Sequence, residues 1–253
     1  MIHLTGDTHA DWMSRLSSDV FPEGKGMTKG DYVIILGDFG IWQDGSSEQY
    51  RLNWLDEKPF TTLFLDGNHE NFDRLYSDEF PIVPFAGGMA QRIRPSVYHL
   101  LRGEAYTLEN KTFYVFGGAS SHDIRDGILQ KGDPRITIWK RDNAWGRTPY
   151  KLFRVEHESW WKQELPSESE ITHGRETLDR VGWKVDYILT HCAPLEIQKM
   201  IDPEWTQTDA LVDFLGEIYK NAEFAHWFFG HYHTEKNVTE KMHVMYKQIF
   251  RLC

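Results

Sequence analysis

The chain alternates short apolar runs with longer stretches of mixed polarity, and the apolar runs end alike. Five of them read MIHLTGDTH, DYVIILGDFG, TTLFLDGNHE, VDYILTHCAP and AHWFFGHYH. Each holds a handful of aliphatic or aromatic residues with no polar alternation, which predicts strands buried on both faces. Between them lie stretches such as SSEQYRLNWLDEK and TDALVDFLGEIYKNA; in the second, Leu211, Phe214, Leu215 and Ile218 recur at helical spacing. Strand alternating with helix predicts an α/β fold.

In such folds, polar residues just past the carboxyl ends of neighbouring strands converge on one crevice. The five endings would bring together Asp7 and His9, Asp38, Asn68 and His69, His191, and His231 and His233. Gly6, Gly37, Gly67 and Gly230 precede four of these endings, where positive φ or close backbone approach is expected. A sixth run, TFYVFGGASSHDIRDG, ends in His122, Asp123 and Arg125, which are expected to line the crevice from the side, Arg125 being the best suited to phosphate. Residues from about 127 to 182 are charged and rich in tryptophan and arginine. They are expected to form an insertion packed over the sheet ends, with a helix starting near Ser167 to Glu170. Trp160 and Trp161 read as packing, Glu70 as support, and His3, His99, His157, His173, His226 and His243 as structural. No repeat or long linker appears, so one domain over 1–253 is expected.

Composition narrows the possibilities. Of the 253 residues 40% are hydrophobic and 14% aromatic, enough for a sizeable core, and no apolar run approaches the length of a membrane span. The N-terminus shows no basic region followed by an apolar one, and the only cysteines are Cys192 and Cys253, so a cytoplasmic protein with reduced thiols is expected. A formal net charge of -10 counts against nucleic acid or anionic lipid as a partner. If a substrate carries phosphate, its attraction must then be local.

The endings together offer two aspartates, an asparagine amide and four or five histidines. That mixed oxygen and imidazole set exceeds the needs of one tetrahedral zinc and suits two ions, with manganese first and Fe, Zn, Ni or Co as alternatives. If DTH and HYH are extended, Asp7 and His9 point the same way and share an ion, as do His231 and His233.

The ordered set GDTH, GDFG, GNHE, THCAP and GHYH, running from Gly6 to His233, resembles the five-motif signature of the calcineurin-like metallophosphoesterases. The resemblance implies a four-layer αββα sandwich of two mixed β-sheets flanked by helices. It also implies that Asp7, His9 and His233 hold one metal, that Asn68, His191 and His231 complete a second, and that Asp38 bridges the two. His69 would contact the substrate phosphate or leaving oxygen, Asp38 and His69 being the catalytic pair, with Asn68, His69, His122 and Arg125 facing substrate. The implied reaction is hydrolysis of a phosphomonoester or phosphodiester, on a small molecule or nucleotide, by a metal-activated hydroxide. GDFGIWQDG lacks the longer second motif of the protein phosphatases, which counts against that branch. The rival readings are a nuclease acting on single strands and a non-catalytic scaffold of the same fold.

Overall fold

The computed structural model describes residues 1–42, 45–204 and 208–253; Gln43 and Asp44, the tail of GDFGIWQDG, lie outside the described residues, as do residues 205–207. Strands β1 (Ile2–Thr5), β2 (Tyr32–Leu36), β3 (Thr61–Leu65), β4 (Ile82–Phe85), β5 (Gly88–Arg94) and β6 (Val97–Leu100) belong to one sheet. A second sheet begins with β7 (Glu104–Leu108) and β8 (Lys111–Phe116). Next, β9 (Gly127–Leu129) and β10 (Phe153–Val155) pair as a separate parallel ribbon. The second sheet then resumes with β11 (Tyr187–Thr190), β12 (His226–Phe229), β13 (Lys236–Asn237) and β14 (Met242–Val244), and β15 (Phe250–Arg251) returns to the first beside β1. The orders are β15-β1-β2-β3-β6-β5-β4 and β13-β14-β12-β11-β8-β7, each sheet mixing parallel and antiparallel pairs.

Unbroken apolar strands are explained by what lies on each side. In β2 and β3, Val33, Ile35 and Phe64 pack into a core with α1 (Trp12–Arg15), α2 (Ser46–Asp56) and α3 (Phe72–Leu75). Their neighbours Ile34, Leu36, Leu63 and Leu65 face the other way, into a core shared with Phe113, Val115, Leu189 and Phe228 of the second sheet. Helix α4 (Pro134–Ala144) has no buried residue and stays with the ribbon. On the far side, Tyr114, Phe116, Ile188, Trp227 and Phe229 pack against α5 (Glu168–Arg180), α6 (Leu195–Ile201) and α7 (Ala210–Asn221). Three cores between four layers give the αββα sandwich. Period-2 alternation turns the central strands, such as β2 and β3, into dividers between two cores, which is why neither of their faces needs to be polar.

The stretch 127–182 does not behave as one insertion. Its second part is α5, started by a capping box in which Ser167 Oγ accepts from Glu170 N (3.3 Å) and Glu170 Oε2 accepts from Ser167 N (2.8 Å), and its Leu178 belongs to the second helical core. What remains, from β9 to the short 3-10 turn at Lys162–Glu164, is a covering segment laid on loops of both sheets: Trp161 meets Trp42 after β2, and Arg154 binds Asp123 after β8. Among the described residues, no helix is long and apolar enough to cross a membrane.

Candidate metal centre

The neighbours β1, β2 and β3 run parallel, as do β8, β11 and β12. Six loops therefore leave the two sheets at the same rim, and these loops carry the polar endings. Their approach is so close that only glycine fits between them. A Cβ on Gly67 would lie 2.0 Å from Asp38 Oδ1, one on Gly37 2.0 Å from His191 Nδ1, and one on Gly230 2.3 Å from Asp7 Oδ1. Of these three, Gly37 alone has positive φ, at 94°. The glycines are needed chiefly for space, not for backbone freedom.

Asp7, His9, Asp38 and His233 gather ligand atoms within 4.8 Å of one another. His9 Nε2 and His233 Nε2 face each other at 3.1 Å, and His233 Nε2 is 3.0 Å from Asp7 Oδ2. Two imidazole nitrogens aimed at one point between two buried carboxylates is a donor set that fits a first-row divalent cation. His9 and His233 do not get there by the extended geometry expected of DTH and HYH. Both have positive φ, 44° and 47°, so it is a left-handed bend and not the pleat that turns them inward. His231 likewise bends, at 69°, and sends its ring elsewhere: it lies against His191, with ring centres 5.1 Å apart, so His231 and His233 do not share one position.

The second group lies deeper. His191 is fully buried; its Nδ1 donates to Leu36 O (2.7 Å), which crosses from the second sheet to the first and turns Nε2 towards Asp38 Oδ1 at 3.3 Å. That approach is out of line for a hydrogen bond, and Asn68 Oδ1 also lacks one although buried. Buried polar atoms are seldom left so. A cation would satisfy both. Burial opposes charge on Asp38, but the adjoining His191 outweighs it and holds the carboxyl below the usual carboxylate range. His191, against the same burial, is pushed up to about 10 by Asp38. Its proton stands where a cation would.

The family described as calcineurin-like phosphoesterase (Metallophos) matches residues 1–235. The chain belongs to that family. The protein is also similar in fold to the phosphopantetheinyl hydrolase PptH of Mycobacterium tuberculosis, at 14% identity over 97% of this chain and 87% of that one, with a TM-score of 0.45. No curated protein gives a significant match.

Calcineurin-like phosphoesterases normally bind divalent metals, and here a layer of supporting residues braces the ligand loops of this member. Glu70, fully buried, accepts from the backbone N–H groups of Phe39 (2.6 Å), Gly40 and Ile41 (both 3.0 Å), pinning the loop that carries Asp38. Arg15 ties the Asp7 carbonyl (3.1 Å) to Tyr246 O (2.6 Å), and the Tyr246 ring stacks on His233 at 4.7 Å. Asn68 Nδ2 lies 3.3 Å from Ser121 Oγ. Arg15, Tyr246 and Ser121 carry no motif, so their roles emerge only from the folded chain.

At the solvent side of the site, the His69 ring packs edge-on to His9 (centres 5.1 Å apart) and its centre lies 6.2 Å from that of Trp42, which meets Trp161 of the covering segment. Burial holds His69 down at about 4, against the pull of Asp38. At neutral pH the free site therefore presents a neutral imidazole, an uncharged N–H donor. His122 lies 5.8 Å from His231. Arg125 is 70% exposed and opposes Asp126 at 3.8 Å. The arginine fixed near His69 is instead Arg154 of β10, held by both Asp123 oxygens at 2.8 and 2.6 Å and close enough to lower the His69 pKa. The short strand FRV hid it, one arginine among several in the segment.

Proposed function

We propose that this protein hydrolyses a phosphomonoester or phosphodiester, on a small molecule or nucleotide, at a centre of two divalent cations with manganese the preferred ion. The observation that carries the reading is the tight convergence of Asp7, His9, Asp38 and His233 beside a second set whose Asn68 Oδ1 and His191 Nε2 have no hydrogen bond. Asp7, His9 and His233 would hold one ion; Asn68, His191 and His231 would complete the other; Asp38, with two oxygens, would serve both.

When bound, such a pair supplies Lewis acidity toward phosphate and a water acidified to react near neutral pH. The chain's own residues do the rest. His69 donates a hydrogen bond to the phosphate or leaving oxygen, and a bound phosphate dianion raises its proton affinity toward general-acid use. Arg154, fixed near His69 by Asp123, would offer hydrogen-bond donors to an anionic substrate, while its charge is balanced by that carboxylate and the cations supply the net positive charge. Trp42, backed by the buried Trp161, stands beside His69, where an apolar ring lowers the local dielectric and strengthens both interactions. Cys192 and Cys253 are unpaired, which supports work in a reducing compartment, the cytoplasm.

The test is metal analysis of protein reconstituted with Mn, Ni, Zn or Mg, beside turnover of p-nitrophenyl mono- and diesters and cyclic nucleotides. Two ions per chain and turnover in the wild type, with both lost in Asp38→Ala and His191→Ala, are expected. Turnover that survives exhaustive chelation would overturn the reading.

A further inference from the structure

The asparagine of the second cation position poses a problem of direction, and its solution rests on the two-cation reading above. Asn68 Oδ1 can ligate a cation and Nδ2 cannot, yet half a turn of the amide exchanges them with almost no change of shape. Packing alone does not choose between them. The hydrogen bonds do: Oδ1 has no partner, while Nδ2 lies 3.3 Å from Ser121 Oγ.

Ser121 is 2% exposed and is itself committed. Its N–H donates to Glu164 Oε1 at 2.9 Å and its hydroxyl to Glu164 Oε2 at 2.7 Å. A carboxylate only accepts, so the hydroxyl proton must point at Glu164. That leaves Ser121 Oγ an acceptor toward Asn68, and only the NH2 end of the amide can answer it. Glu164 is also 2% exposed and comes from the covering segment, 43 residues beyond Ser121.

We propose that Glu164 is a positioning residue which, through Ser121, fixes the direction of the Asn68 amide and so makes the second cation position competent. The covering segment then does more than lie on the loops: the second position is complete only with it docked.

The distinguishing change is Glu164→Gln, equal in size but with an NH2 donor in place of one acceptor oxygen. Its Oε1 can still accept from Ser121 N, which leaves Nε2 to donate to Ser121 Oγ. The hydroxyl proton turns to Asn68, the amide rotates to accept it, and Nδ2 faces the cation. Asn68→Asp alone sets two carboxylates on one hydroxyl, whereas Asn68→Asp with Glu164→Gln lets the carboxylate accept from Ser121 with one oxygen and ligate with the other.

Metal-free wild type and the three variants are titrated with Mn at pH 8, above the value of about 7 to which burial raises Glu164, and bound Mn is read by equilibrium dialysis with elemental analysis. Glu164→Gln is expected to weaken the second Mn by about 10–100-fold and to spare the first. The double variant is expected to bind the second Mn more tightly than either single variant. Should Glu164→Gln fail to fold, Ser121→Ala, which unties the amide, is expected to weaken the second Mn alone. Wild-type affinities in Glu164→Gln or in Ser121→Ala, or a double variant no better than the singles, overturn the proposal. Fewer than two Mn on the wild type would instead overturn the two-cation reading itself.

Discussion

Gly67→Ala adds a single methyl group at a position with no ligand atom of its own. Its Cβ would sit 2.0 Å from Asp38 Oδ1, 2.4 Å from Asp38 N and 2.7 Å from His191 Nε2. Ordinary contact starts beyond 3 Å, so atoms must move by roughly 1 Å, whereas a metal site tolerates only about 0.2 Å in its ligand distances. Overfilling a packed site costs about 1–3 kcal/mol, which lowers Tm by a few degrees for a chain of this size. Misplacement by 1 Å costs about 100-fold in rate. The variant is therefore expected to stay folded, melt a few degrees lower, lose most of its metal and fall at least about 100-fold in kcat. The control is Gly216→Ala, in α7, where a Cβ meets nothing within 4 Å and the helix gains roughly 0.5–1 kcal/mol. Metal content is read by elemental analysis, Tm by calorimetry and kcat on a chromogenic ester. Near wild-type metal content and turnover in Gly67→Ala would refute the claim that glycine is there for the ligands.

His69→Ala should keep both ions while slowing hydrolysis by about 10²–10⁴-fold; loss of metal would show that His69 is a ligand. Because His191 is raised to about 10 in the metal-free chain, metal must displace its proton, so below pH 10 affinity should weaken by up to tenfold per unit of falling pH. Titration calorimetry in buffers of different ionisation heat should find about one proton released at pH 7, and none released would contradict the assignment. The same raised value stabilises the metal-free fold fully below about 6.5, an advantage lost as pH rises through about 10. Asp7→Asn should lose the first ion yet melt, metal-free, close to wild type, because its Oδ1 still accepts from His231 N (3.0 Å); Asp7→Ala should lose ion and stability together. Ser167→Ala should cost about 0.5–2 kcal/mol in Tm measurements and leave kcat unchanged, since it removes only the cap of α5.

The strands and the convergence of their endings were legible because they depend on local pattern. A strand between two cores is mostly apolar, so the polar cluster that follows its apolar run marks the rim. The bends of His9, His231 and His233 were not legible, since φ there is set by contacts between loops distant in sequence, such as His9 N to Asp38 O at 2.7 Å. Nor was Arg154: its meaning comes from Asp123, 31 residues earlier. The stretch 127–182 looked uniform in composition, but α5 is anchored by Leu178 in a core that composition does not reveal. The sequence marks Arg125 as the best suited to phosphate of His122, Asp123 and Arg125; its side chain stands in solvent, whereas Arg154 of the ribbon is fixed on Asp123.

The two carboxylates divide their oxygens in a way that explains why the rim needs both sheets. Asp7 Oδ1 accepts from His231 N, on the loop after β12, while Oδ2 faces the imidazoles. Asp38 Oδ1 accepts from His69 N (2.8 Å), on the loop after β3, and Oδ2 lies 3.8 Å from His9. In each case one oxygen accepts from a backbone donor of another loop, which fixes the carboxylate plane; Asp38 Oδ1 keeps a second lone pair beside His191 Nε2 (3.3 Å), so both Asp38 oxygens stay open to a cation. The backbone donors are the amides of His231 and His69, members of the same constellation. Side chains that receive the chemistry are thus locked by the backbone of their neighbours, so each strand ending depends on another for its aim. This interlock accounts for the glycines: donors can reach the carboxylates only if the loops close to contact, and at Gly67 and Gly230 a Cβ would occupy the space of the carboxylate being held.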